Sequence, residues 1–309
     1  MIATVTLNPT LDRTVTVDGL ILDEANRWTS LRRDPGGKGI NVSRVIHELG
    51  GETIAYGFIG GFDGEEFKQL LKHQGVPFDF TYIQGEIRSN LIITDLKNRS
   101  QTRIDAPGPR ISEKELADLT NKIRNIKPKP EFLVLSGSVP PGIPDDIYRE
   151  FIAIARKQSI KTVLDSDNEW LKEGIKAKPD VIKPNAHETE ELLGMKLENE
   201  AAVIRAVKAL HAKGIEIVAI SQGKGAFIIS DNNEILKLLP PQVKVRSTVG
   251  AGDSAVAGLV MMLSQGASLE EAARLAVAAG TATALTPGVE LCHRKDLEKM
   301  LPLVKVERL

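Results

Sequence analysis

The sequence predicts an α/β fold, and two patterns along its 309 residues carry the prediction. Short runs of valine, isoleucine and leucine recur before glycine or proline turns, and segments of helical period follow them. This is the pattern of a largely parallel sheet covered by helices, whose strands are buried on both faces and read as nearly unbroken apolar runs. With 42% hydrophobic residues the chain can bury a large core, and its length suits one domain with at most a small appendage. No internal repeat or low-complexity linker divides it.

In chain order, the clearest strands are residues 2–7, 132–136, 162–165, 181–183 and 215–221, each ending near a polar or glycine-bearing segment. Ligand sites in such sheets gather at those strand ends. The longest helical signals are 113–126, 145–158, 201–213, 253–264 and 269–285. Two stretches, 13–34 and 88–105, break the pattern. The second alternates apolar and polar residues around the turn-like Lys97-Asn98-Arg99-Ser100. They are expected to pair as a small half-exposed sheet, a lid over the site, whose outer face serves as a dimer contact because exposed sheet edges tend to be covered.

Composition excludes several classes. Lysine and arginine total 40 against 41 acidic residues, so no global field favours nucleic acid or an anionic membrane. Any anionic ligand must be held by local basic residues. Cys292 is the single cysteine, which rules out an intramolecular disulfide framework and fits a reducing cytoplasm. The five histidines are scattered, without the close pair of a helical zinc site. The N-terminus lacks a signal-peptide pattern and no apolar run reaches membrane-spanning length, so a cytoplasmic protein is expected.

The most informative segment is Ser247-Thr248-Val249-Gly250-Ala251-Gly252-Asp253-Ser254, between a strand-like 243–246 and an apolar helix. Its glycines let the amides of Gly250, Ala251, Gly252 and Asp253 converge at a positive helix end, an anion hole. Asp253 would face the same cavity, so a phosphoryl group and a carboxylate base could meet there. The same residues also read as a plain glycine turn with an aspartate N-cap. The P-loop is absent, since Gly37-Lys38 is followed by glycine, and no G-x-G-x-x-G follows the first strand.

Lys183-Pro184-Asn185-Ala186-His187-Glu188 sits between a strand and a helix. Asn185 and Glu188, three apart, could form a capping box or offer oxygens to a hydrated Mg2+. Gly36-Gly37-Lys38-Gly39-Ile40-Asn41 opens a helix running through Leu49 and lets backbone approach a ligand, with Asn41 within reach of a hydroxyl. Asp12, past the first strand, is either a turn residue or a partner for sugar hydroxyls. Ser136-Gly137-Ser138 and Ser221-Gln222-Gly223-Lys224-Gly225-Ala226 add amides and hydroxyls at the same sheet edge. Arg27, Lys38, Arg88 and Arg103, in or beside the lid, could bind a phosphate already on the substrate.

Together, GGKGIN, SGSVPPG, KPNAHE, SQGKGA and TVGAGDS, in this order across nearly the whole chain, resemble the ribokinase-like carbohydrate kinases, and within them the phosphofructokinase B group. The resemblance implies a three-layer α/β/α domain with a β lid, usually dimerised through it. Asp253 would be the catalytic base, with Gly250, Ala251 and Gly252 as the anion hole. Asp12, Gly37 and Asn41 would hold sugar hydroxyls, and Lys38, Arg88, Arg103 and Ser138 would lie near the sugar and its phosphate. Lys183, Asn185, Glu188, Ser221, Gly223, Gly225 and Thr248 would serve ATP or its Mg2+. A monovalent cation, K+, is implied near residues 247–249 and 286–288.

Two signatures compete over the substrate. Residues 6–14 and Lys38 are similar to 1-phosphofructokinases, whereas 240–243, 267–271 and 288–292 look like the minor bacterial 6-phosphofructokinase. Fructose 6-phosphate is the favoured expectation, with tagatose 6-phosphate differing by one hydroxyl configuration. A non-catalytic sugar-phosphate sensor is the reading from another class, since fold alone does not fix function.

Overall fold

The computed structural model describes residues 1–223 and 225–309; Lys224, within the fifth motif, lies outside the described residues. Its strands are β1 (Ile2–Thr6), β2 (Thr10–Val17), β3 (Ser30–Gly36), β4 (Thr53–Ile59), β5 (Phe78–Tyr82), β6 (Arg88–Asp95), β7 (Ser100–Ile104), β8 (Phe132–Ser136), β9 (Lys161–Asp165), β10 (Val181–Ile182), β11 (Ile217–Ser221), β12 (Phe227–Ser230), β13 (Ile235–Leu239) and β14 (Lys305–Arg308). The helices are α1 (Lys38–Glu48), α2 (Gly61–His73), α3 (Glu113–Arg124), α4 (Ile147–Lys157), α5 (Asn168–Ile175), α6 (Ala186–Leu193), α7 (Glu200–Ala212), α8 (Ala251–Ser264), α9 (Leu269–Ala284) and α10 (Arg294–Met300).

The large sheet runs β14-β13-β12-β11-β10-β9-β8-β1-β4-β5. From β5 to β11 neighbouring strands are parallel, and β12, β13 and β14 add an antiparallel edge. Strand period explains the layers, because successive side chains point to opposite faces. On β8, Leu133 and Leu135 enter one core with α3, α4, α5 and α7, while Phe132 and Val134 enter another with α1, α8, α9 and α10. Both faces are therefore buried, and the three-layer α/β/α expectation holds.

The small sheet has the order β3-β2-β6-β7, with β2 and β6 parallel and the other pairs antiparallel. Its β7 is exposed along its whole length, as a half-exposed lid requires. The lid begins at Thr10 rather than Arg13, so Asp12 lies inside β2, paired with Asp34 and Asn90, and is not a turn residue. Residues 18–29 run outside the sheet as an exposed connection.

One expected strand does not form. Residues 243–246 carry no strand, although Val243 and Val245 suggest one. Pro240 and Pro241, which have no N–H to donate, end β13 at Leu239 just ahead of this stretch. The free edge of β13 is taken by β14 instead, and Arg246 N–H donates to the Ala284 carbonyl at the end of α9.

Candidate active site

Because β1, β8, β9, β10 and β11 are parallel, their C-terminal ends open on one edge of the sheet. There the chain leaves Ser136-Gly137, Asp165, Lys183 and Ser221 side by side. Against this edge sits the first turn of α8. Gly250, at φ 78°, is its N-cap in the left-handed region, which a side chain would strain. Asp253 is thus not the cap, as the simple turn reading had it, but the third helical residue, where its side chain points inward and is 8% exposed.

First-turn amides have no intrahelical acceptor. Ala251 N–H makes a long 3.3 Å bond to the Thr248 carbonyl, while the Gly252 and Asp253 amides remain for an anion at the positive helix end. A Cβ on Gly252 would lie 3.5 Å from Lys183 Nζ, so the ammonium stands beside that turn. Asp253 Oδ2 accepts a 2.8 Å hydrogen bond from Asn41 Nδ2. Burial, together with the negative charge of Asp165, raises the Asp253 pKa above the usual carboxylate range despite Asn41, Lys38 and Lys183. A carboxylate so placed is poised to take a proton.

Asp165 is a site residue the motif reading missed. It ends β9, is 2% exposed, and its Oδ1 faces Lys183 Nζ at 3.3 Å and Lys38 Nζ at 3.7 Å. Burial would raise its pKa, but the two ammonium groups outweigh burial and hold it below the ordinary value. Its Oδ2 is buried with no hydrogen-bond partner among the described residues. Burial likewise works against charge on Lys38, yet Asp165, Asp253 and Glu188 raise its pKa. The available signal was a buried strand ending on an acid, Asp165, between two lysine-bearing motifs.

On the lid side, Gly37, at φ 112°, caps α1 and lies against β1, where a Cβ would meet Thr6 Cγ2 at 2.7 Å. Asp12 accepts from Asn90 Nδ2 at 3.0 Å and Thr10 Oγ1 at 3.2 Å. Burial raises its pKa to about 6 against the pull of Arg103, Asn90, Thr10 and Arg88. Arg88 donates to the Asn8 and Ala106 carbonyls, and Asn8 Nδ2 donates to Ser138 Oγ at 3.2 Å. The structure thereby brings Asp12, Arg88, Arg103 and Ser138 into one neighbourhood. Arg103 is half exposed and pairs with Asp105 at 2.6 Å. Arg27 lies in the exposed 18–29 connection, and no ion pair to it occurs among the described residues.

On the other side of Gly252 opens a cavity of about 640 Å³. Lys183, Ser221, Gly223, Gly225 and Thr248 line it, with Pro240, Pro241, Val243, Val245, Ala276, Val277 and Ala284 as its apolar walls. This slot fits a flat ring, with its polar end at Lys183 and Gly252. Asn185 bridges to Ser221 beside it. Asn185 and Glu188 do form the capping box: Asn185 Oδ1 accepts from Glu188 N–H at 2.8 Å, and Glu188 Oε2 accepts from Asn185 N–H at 2.7 Å. Glu188 Oε1 has no hydrogen-bond partner among the described residues, and burial raises the Glu188 pKa while Lys38 and Lys183 oppose it. Among the described residues no cluster of three or more His, Cys, Asp or Glu could hold a metal unaided. Glu188, near Asp165, Lys38 and Lys183, nevertheless leaves Oε1 as an oxygen that suits a hydrated Mg2+ whose remaining ligands are water and phosphate.

A family model described as pfkB family carbohydrate kinase matches residues 5–296. The chain is 37% identical to a 1-phosphofructokinase of Borreliella burgdorferi over 99% of this chain and 98% of that one. It is 34% identical to the ATP-dependent 6-phosphofructokinase isozyme 2 of Mycobacterium tuberculosis, covering 98% and 89%. It is 35% identical to a tagatose-6-phosphate kinase of Staphylococcus epidermidis, covering 92% of each. Phosphofructokinase-2 of Escherichia coli in complex with substrates and products superimposes with a TM-score of 0.94 at 33% identity, covering 98% of both chains.

Proposed function

This chain belongs to the pfkB family of carbohydrate kinases, and we propose that it is an ATP-dependent kinase that phosphorylates the C1 hydroxyl of fructose 6-phosphate to give fructose 1,6-bisphosphate. The observation that carries this reading is the meeting of a buried, raised-pKa carboxylate, Asp253, with the free first-turn amides of α8, between an apolar slot and a polar lid pocket. In the proposed roles, Asp253 takes the proton of the attacking hydroxyl, while the Gly250-Ala251-Gly252 turn presents the amides of Gly252 and Asp253 to hold charge on the transferred group. Asp12, Gly37 and Asn41 orient the sugar, and Lys38, Arg88, Arg103 and Ser138 attend its phosphate. Lys183, Asn185, Ser221, Gly223, Gly225 and Thr248 bind the nucleotide.

Bound Mg2+ would supply charge neutralisation at the phosphates, with Asn185 and Glu188 as its water-mediated protein contacts and Asp165 beside them. A K+ site near 247–249 and 286–288 is supported by the tie between Arg246 and the end of α9. The E. coli structural relative described in complex with potassium, with a TM-score of 0.93, adds to that support. A homodimer through the lid is supported by the exposed β7 and Ile104, Leu31 and Trp28.

A second reading, fructose 1-phosphate as substrate, is favoured by Lys38, which distinguishes the glycine turn, and by the likeness to the 1-phosphofructokinase of Borreliella burgdorferi. Both readings share the same base and are tested together by Asp253→Asn. Turnover should fall roughly two to four decades while calorimetry still finds nucleotide binding. A folded variant with near wild-type turnover would remove Asp253 as base.

A further inference from the structure

Asn41 touches Asp253, yet what decides which way its carboxamide faces lies behind it on the same helix. Three residues on, Arg44 Nη1 approaches Asn41 Oδ1 at 3.3 Å. A guanidinium cannot accept a hydrogen bond and a carboxylate cannot donate one. With Arg44 on one side and Asp253 on the other, the turned-over amide would point its NH2 at a cation and its oxygen at an anion. Only one orientation pairs both groups, and it directs Nδ2 at the base.

Arg44 is itself built in. Its side chain is 9% exposed, Nε donates to Gln74 Oε1 at 2.8 Å, and Nη1 donates to the Pro35 carbonyl at 2.8 Å. Asp34, in the same lid strand β3, stands 3.7 Å from Nη2 and is held in turn by Arg32, whose Nη2 donates to Asp34 Oδ1 at 2.8 Å. This buried guanidinium touches neither the apolar slot nor Asp253, and among the described residues it meets the site only through Asn41. Burial lowers its pKa, with Asp34 opposing, so it occupies an unfavourable position that nearby groups must offset.

We propose that Arg44 is a positioning residue for phosphoryl transfer: held by the lid strand β3 and by Gln74, it fixes the Asn41 carboxamide so that Nδ2 donates to Asp253. The inference rests on Asp253 being the base. The test is a double-mutant cycle on kcat with Arg44→Met and Asn41→Ala in the full-length protein, using MgATP and the best phosphoketohexose. Arg44→Met alone should lower kcat about tenfold and leave KM for ATP within about twofold, the scale of one charge-assisted hydrogen bond. In the Asn41→Ala background the same substitution should lower kcat less than about twofold further. Effects on kcat that simply multiply, or a loss confined to KM, would overturn the proposal. Should Arg44→Met fail to fold by its melting curve, Arg44→Gln, whose amide can accept as well as donate and so no longer fixes the Asn41 carboxamide, serves in the same cycle with the same two outcomes. An active Asp253→Asn would count against the base alone, whereas an inactive Asp253→Asn with multiplying effects would count against Arg44 alone.

Discussion

Asp253 and Asp165 face the same two lysines, yet their surroundings push them in opposite directions, and stability should report the difference. The Asp253 pKa is raised, so its ionised form is disfavoured in the fold: its contribution is full below the ordinary carboxylate pKa and is lost as pH rises through the folded value. Asp253→Asn should therefore melt about two degrees higher than wild type at neutral pH while losing turnover, since it removes a buried charge that Asn41, Lys38 and Lys183 only partly offset. Asp165, with its pKa lowered, contributes stability above the ordinary range that is lost as pH falls. Asp165→Asn should destabilise by about 3 kcal/mol at neutral pH, because the buried Lys183 and the partly exposed Lys38 lose their partner. Scanning calorimetry of both variants checks the pair, and shifts of the same sign would contradict it. Asp12 offers a pH-resolved test. Its shift from the ordinary 3.8 to about 6 means that stability present below 3.8 is lost as pH rises through 6. Asp12→Asn should gain about 3 kcal/mol on wild type between pH 3.5 and pH 7.5, measured by urea unfolding.

At the scale of elements, glycine turns and buried strands were legible because each has a local cause. The apolar run Phe132–Ser136 forms a strand buried on both faces, and Gly250 takes the left-handed backbone that its turn requires. Residues 243–246 misled because β-branched composition says nothing about which strand will occupy a sheet edge, and β14 comes from far along the chain. Asp165 and Arg44 were missed for a related reason: their importance arises from long-range neighbours, not from their own segments. Asn185 and Glu188 show that two readings can hold at once, since the capping box forms at the very edge where Glu188 meets Lys38 and Asp165. Glu188→Gln keeps an oxygen for the Asn185 amide and removes a charge that burial disfavours. Its melting temperature should stay within about two degrees of wild type, while the Mg2+ concentration giving half-maximal activity rises several-fold. An unchanged Mg2+ response with a lower melting temperature would assign Glu188 to capping alone.

Over the whole molecule, the parallel sheet gathers chemistry from the ends of β8, β9, β10 and β11, and the small sheet contributes Asp12 and Arg88, so an apolar slot and a polar pocket lie near one sheet edge. The order of motifs along the chain made the family legible. The choice among phosphoketohexoses was not, because it turns on the configuration and position of a hydroxyl inside a pocket built from separate lid strands. If the lid also joins two copies, replacing Ile104 with aspartate should yield monomers by sedimentation, with KM for the sugar rising more than KM for ATP. The central claim, phosphoryl transfer from ATP to a phosphorylated ketohexose, is tested most directly by initial rates of ADP release at saturating MgATP. Fructose 6-phosphate, fructose 1-phosphate and tagatose 6-phosphate are compared side by side, with the product identified by phosphorus NMR. The account predicts saturable turnover, the highest kcat/KM with fructose 6-phosphate, and a bisphosphate product; no ADP release above background with any of the three, from a protein that still binds ATP, would contradict it.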